Sequence, residues 1–201
     1  AGLIATGGAG IIVLLLIVVL VSRAGGGGSD AALLAVKLQG TDMQARSAPT
    51  FTLRDQNGKT VSLQSLHGHP VVLTFLDATC TQQCPIMIQY LNWTTQIMSA
   101  QQKAQVDWVA LSVNPNNTPA QASDFLSKNK AGMPIHFLLG SQSQLAPLWK
   151  AYYIAVEPGQ TDVSHTAGLY VLDQQGRERI WLDAGFDPKK LSGDLKALLS
   201  V

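Results

Sequence analysis

Val71-Val-Leu-Thr-Phe-Leu76-Asp-Ala-Thr-Cys80-Thr-Gln-Gln-Cys84-Pro85-Ile86 reads as a strand running directly into a helix. Residues 71–76 are a continuous apolar, β-branched run, the pattern of a strand buried on both faces. Pro85 suits a first helical turn, and Ile86, Tyr90, Trp93 and Ile97 recur at the spacing of one helix face. The two cysteines of the chain both sit in this junction, four residues apart.

Working outward, Phe51 to Leu63 reads as an N-terminal β-hairpin, because Asn57-Gly58 supplies the positive φ of a tight turn. Pro49 opens this folded region, and a short helix is expected over 31–38. Val106 to Val113 is a second buried strand, and Thr118-Pro119 opens a helix carrying Phe125 and Leu126. Ile135 to Leu139 is a third strand and Leu145 to Tyr153 a third helix. Leu169 to Leu172 and Arg179 to Leu182 form a second hairpin, turned at Gln175-Gly176. Asp187-Pro188 caps a last helix with Leu191, Leu195 and Leu198 on one side. This order predicts an α/β domain whose mixed central sheet starts parallel and ends antiparallel, with functional groups collecting where strand ends meet helix starts.

The 201 residues suffice for one compact domain and an anchor. Fourteen basic against thirteen acidic residues, with no basic cluster, exclude a nucleic-acid partner. The first charge is Arg23; the twenty-two residues before it are uncharged and densest in apolar side chains from Ile11 to Val21. As a helix they span about 33 Å, enough for a hydrocarbon core of about 30 Å. The same run fits the core of a cleaved signal peptide; the expectation adopted is a single transmembrane helix at 1–22 in the lipid bilayer. A flexible Gly-rich linker follows at 23–48, and the folded domain at 49–201. Arg23 lies after the span, so the positive-inside rule taken literally puts the domain in the cytoplasm. One charge does not decide this.

A cysteine at a helix start is biased toward thiolate, the form that attacks disulfides and binds metal. Residues i and i+4 share a helix face, so both sulfurs converge on one point, close enough for a disulfide as well. A purely structural bridge there closes a very short loop and adds little stability. His165, far downstream beside the 167–172 strand, adds an imidazole. Two soft sulfurs and one nitrogen suit copper as Cu(I) or Cu(II). Structural zinc wants a fourth ligand, and four-cysteine iron–sulfur clusters are excluded by count. His67 and His69 read as solvated turn residues, His136 as core or edge, and Met87 as packing rather than a thioether ligand.

Taken together, Phe51-Thr-Leu-Arg-Asp-Gln-Asn-Gly58, Thr74-Phe75, Thr79-Cys80-x-x-x-Cys84-Pro85, Leu111-Ser-Val-Asn-Pro115, Thr118-Pro119 and His165 before Tyr170-Val-Leu-Asp-Gln-Gln-Gly176 resemble the Sco/SenC proteins across residues 49 to 200. The resemblance implies a thioredoxin-like fold on a membrane anchor, facing the extracytoplasmic side. It implies copper bound by Cys80, Cys84 and His165. That copper is delivered to the cytochrome oxidase subunit carrying the dinuclear copper site, or the thiols reduce that site's cysteines. Such a protein is a metallochaperone rather than a turnover enzyme. Where the family usually carries acids near its ligands, this chain has Gln82, Asn114 and Ser164, and it has Thr81 where proline is usual. A less negative site with an altered redox poise is expected.

Three other readings stand beside this one. A membrane-tethered thiol–disulfide oxidoreductase would use Cys80 and Cys84 as a redox-active pair. Thioredoxin-like reductases, however, typically have a two-residue spacer and a cis-proline opposite the pair, whereas here the spacer is three and His165-Thr166-Ala167 has no proline at the corresponding place. A peroxidase is suggested by Thr81-x-x-Cys84, without the upstream proline. The last is a structural accessory subunit of another respiratory membrane complex.

Overall fold

The structure, a computed structural model, describes Gly2, residues 30–158 and residues 163–201. The expected membrane helix at 1–22, Gly2 apart, and the glycine run at 25–28 lie outside the described residues. Among the described residues no helix is long and apolar enough to cross a membrane. Residues 30–35 are helical, the helix ending at 35 rather than at the expected 38, and they fall in a unit separate from residues 37–200.

Within 37–200 the strands are β1 (Thr41–Ser47), β2 (Thr52–Arg54), β3 (Thr60–Ser62), β4 (Val71–Leu76), β5 (Asp107–Ser112), β6 (Ile135–Leu138), β7 (Val156–Pro158), β8 (Val163–His165), β9 (Gly168–Leu172) and β10 (Arg177–Asp183). The helices are α1 (Gln83–Gln96), α2 (Ala100–Ala104), α3 (Pro119–Lys128), α4 (Gln142–Ala151) and α5 (Pro188–Leu198). Six strands form one mixed sheet in the order β1-β10-β9-β4-β5-β6. The β4-β5-β6 half is parallel and the rest antiparallel, as the order of elements predicts. The hairpins β2–β3 and β7–β8 stand outside it.

Every residue of β4 is buried. Alternation sends Leu73 and Phe75 into a core with Phe51, Leu111, Trp149 and Tyr152, while Val72 and Leu76 face the opposite layer. The hairpin turn at Gly58 has φ +78°, as the Asn-Gly pair requires. Its Asp55 accepts from the N–H groups of Asn57 and Lys59, and Gln56 pairs in backbone fashion with β6 through Ile135 O and Phe137 N, covering the sheet's edge. A side chain at Gly168 would collide with the Trp181 ring at 2.3 Å, so glycine there lets β9 and β10 close.

Two expectations are corrected. The linker over 23–48 loses its last residues to the sheet: Thr41–Ser47 pair with β10 as an edge strand. That strand is mostly exposed and carries no apolar alternation, so periodicity does not reveal it. It is held by backbone pairing and by an ion pair from Arg46 to the buried Glu178. On α1, the stripe of Ile86, Trp93 and Ile97 faces solvent, each more than 40% exposed. The buried stripe is Cys84, Met87, Ile88, Leu91, Thr94 and Thr95. The helix has two apolar faces, and spacing alone does not say which one packs. Tyr90 stacks on Trp93 and meets Phe186 edge-on.

Candidate metal and thiol centre

The loop 77–82 leaves the carboxyl end of β4 and enters α1 with no side-chain cap at Gln82. Each of α2 to α5 has a Ser, Thr or Asp at that position. In α1 the acceptor is sulfur: the Cys84 N–H donates to Cys80 Sγ at 3.4 Å. The Cys84 thiol also donates to Cys80, and this bond, reinforced by the N–H groups of Cys84, Gln82 and Gln83, outweighs partial burial and lowers the Cys80 thiol to about 5. Cys84 is pushed in the opposite direction by donating to Cys80 and by burial. The pair is therefore a half-buried thiolate capping a helix and a buried thiol hydrogen-bonded to it, with both cysteines free.

Beneath the pair lies a network that the sequence reading missed. Asp77, fully buried, accepts through Oδ1 from the Thr79 N–H and hydroxyl, both at 2.9 Å, and from Asn117 Nδ2 at 2.8 Å. Asn114 Nδ2 adds a bond to Asp77 Oδ2 at 3.2 Å. Asn117 Oδ1 in turn accepts from the Ala78 N–H and the Ser112 hydroxyl. The Asp77 N–H points to Cys84 Sγ at 3.5 Å. The ends of two neighbouring parallel strands thus fix the loop that carries the cysteines. The available signal was an acid directly after a buried strand run, with asparagines after the next strand. Asn114 stands where the family usually has Asp, and an amide is what a neighbouring carboxylate needs there: it donates, whereas a second acid would repel.

His165 ends β8, in a hairpin too short for periodicity to reveal. Its Nδ1 lies 2.8 Å from Thr166 O, and a carbonyl only accepts, so Nδ1 carries the proton and Nε2 keeps a lone pair for a ligand. His165 and Cys80 line the same cleft, of about 440 Å³, with Thr79, Thr81, Gln82, Gln83, Val163, Ser164 and Ala167. Thr81, Gln82 and Ser164, three of the positions that depart from the family pattern, all line this cleft, and among the described residues none of the lining ones is acidic. Cys84 lies behind Cys80 rather than on the wall. Among the described residues, no three His, Cys, Asp or Glu side chains stand close enough together to hold a metal ion. The donor types suit a soft metal, with Cys80 and His165 lining one cleft.

The other expected residues stay outside the centre. His136 bonds to the buried carboxylate of Asp55 at 2.8 Å, His69 lies near Asp107 at the surface, His67 is exposed, and Met87 is packed in the core.

A mixed sheet with a cysteine pair between its first parallel strand and the following helix defines a thioredoxin-like protein. Residues 39–200 match the SCO1/SenC family, starting just ahead of β1. The chain belongs to that family. It is 29% identical over 137 residues to the SCO1 protein homolog of Bacillus subtilis, covering 63% of this chain and 68% of that protein. It is also 29% identical over 170 residues to the chloroplastic peroxiredoxin Q of Oryza sativa subsp. japonica, covering 81% of this chain and 69% of that protein. The structure of Bradyrhizobium japonicum ScoI with copper bound superposes with a TM-score of 0.62 at 26% identity, covering 75% of this chain and 98% of that one.

Proposed function

We propose that this chain binds one copper ion through Cys80, Cys84 and His165 and hands it to the dinuclear copper site of a respiratory oxidase. The observation that supports the reading is the shared cleft: Cys80 and His165 both line it, and the imidazole has its Nδ1–H already engaged. ScoI of Bradyrhizobium japonicum, 26% identical to this chain, was solved with copper bound, which supports copper as the metal. Cys80 offers a ready thiolate, Cys84 gives up its proton as the metal arrives, and His165 closes from β8. Soft sulfur donors favour the soft, singly charged Cu(I). Residues 1–22 tether the domain to a membrane, on its extracytoplasmic face.

The test is copper analysis with X-ray absorption on the full chain. One copper per chain with sulfur and nitrogen neighbours is expected. No copper after reconstitution of the reduced protein refutes the proposal.

One observation favours a second reading. A half-exposed thiolate backed by a buried thiol is the arrangement a dithiol reductant needs, with Cys80 attacking and Cys84 resolving. In that role the chain reduces the oxidase's cysteines before copper arrives. Reduction of a protein disulfide at equal rates with and without His165 would favour this reading over metal transfer.

A further inference from the structure

We propose that the metal-free Cys80–Cys84 pair reduces small hydroperoxides, independently of copper. The spacing Thr81-x-x-Cys84 by itself would make Cys84 the attacking sulfur. The structure reverses those roles, because Cys84 is 2% exposed whereas Cys80 lines the cleft. Cys80 opens onto a cleft large enough for a small peroxide. The lining hydroxyl of Thr79 donates to Asp77 and so has lone pairs to accept a peroxide O–H.

The reaction balances within the site and a named external pair. Cys80 Sγ attacks the terminal peroxide oxygen, the O–O bond breaks, and the alkoxide or hydroxide leaves with a proton from water, giving a Cys80 sulfenic acid. The positive end of α1 lies where negative charge passes from sulfur to the departing oxygen. Cys84 then loses its proton and attacks Cys80 Sγ. The S–S bond forms, the S–O bond breaks, and the hydroxide leaves with that proton as water. The peroxide gains two electrons and the dithiol loses two. An external dithiol, oxidised to its disulfide, restores the pair. The buried, hydrogen-bonded Cys84 is already beside the sulfur it must trap, which protects Cys80 from further oxidation.

The test uses the full chain in detergent micelles, reduced and stripped of metal by chelation, mixed with hydrogen peroxide. Disulfide formation is followed by intact mass, as the loss of two hydrogens, and the rate is compared with that of the same chain unfolded in urea. The folded chain should react at least about 10-fold faster, a conservative allowance for one preorganised electrostatic contact. Equal or slower reaction overturns the proposal. In Cys84→Ser, dimedone should capture a sulfenic acid on Cys80, and absence of that adduct also overturns it. If Cys84→Ser does not fold, the wild-type rate comparison decides alone. Because no copper is present, failure here leaves the copper reading standing, and failure of copper loading leaves this reaction standing.

Discussion

His136 on β6 and His165 at the end of β8 each donate from Nδ1, but to different acceptors. His136 donates to the carboxylate of Asp55, which is itself buried and held by the Asn57 and Lys59 N–H groups. His165 donates to the neutral carbonyl of its neighbour Thr166 and stands on the wall of an open cleft. The first site is closed, with its polar groups spent on one another to fasten the hairpin to the sheet. The second holds a thiolate whose donors are backbone N–H groups and one thiol, in a cleft that an imidazole also lines. A satisfied hydrogen-bonded pair makes structure, and an unclosed set of soft donors makes chemistry.

Copper separates the two sites most sharply. His165→Ala should weaken copper binding by more than about 100-fold, beyond what loss of a supporting residue usually costs. His136→Ala should leave it unchanged, as read by competition titration with a Cu(I) chelator. Equal losses in both variants would erase the distinction drawn here.

Alkylation tests the thiol half of the open site. Iodoacetamide should modify Cys80 at a rate nearly independent of pH above about 6, because its thiol is held down at about 5. Cys84 should stay unmodified while the protein is folded. A Cys80 rate still climbing between pH 7 and 9, as an ordinary thiol's does, would contradict the capped-thiolate description.

Stability should respond in the reverse order. His136→Ala leaves the buried Asp55 carboxylate without its imidazole hydrogen-bond partner and should cost about 2 kcal/mol in urea unfolding. His165→Ala should cost less than about 0.5 kcal/mol, as at a surface position.

The smallest expected effects are in pH dependence. Burial pushes Asp55 up, but the hydrogen bonds from His136, Asn57 and Lys59 prevail and hold it below the ordinary value. Its stabilisation is therefore present above the unfolded value, near 3.9, and is lost as pH falls through the lower folded one. His136→Ala should make that acid loss shallower. Asp194 has the opposite sign: burial raises it to about 6, even though it accepts from the Gln39 N–H. The folded state then takes up a proton between pH 6 and 4 that the unfolded chain does not, so this group favours folding as pH drops. Asp194→Asn should remove that contribution, on the order of 1 kcal/mol, from melting curves measured across this range.

Much of this was legible beforehand wherever local chemistry and global fold agree. The run 71–76 is β4 residue for residue, Asn57-Gly58 makes its turn, Thr118 and Asp187 cap the helices expected of them, and Leu191, Leu195 and Leu198 are buried. What escaped were elements whose stability comes from somewhere else in the chain. Strand β1 exists because β10 offers it hydrogen bonds, and the β7–β8 hairpin is only three residues a side. The outward turn of Ile86, Trp93 and Ile97 likewise depends on what packs against the opposite face of α1.

The site divides the same way. Residue type and spacing alone determined that Cys80 and Cys84 share a helix start and that an imidazole was available at 165, because those are properties of the covalent chain. Only the fold decided which sulfur holds the charge and that Asp77, Asn114 and Asn117 lock the loop beneath it. It also decided that His165 rather than His136 shares a cleft with Cys80. Burial and hydrogen-bond donors are supplied by residues 37 and 40 positions away from Asp77, a distance over which no local pattern carries information.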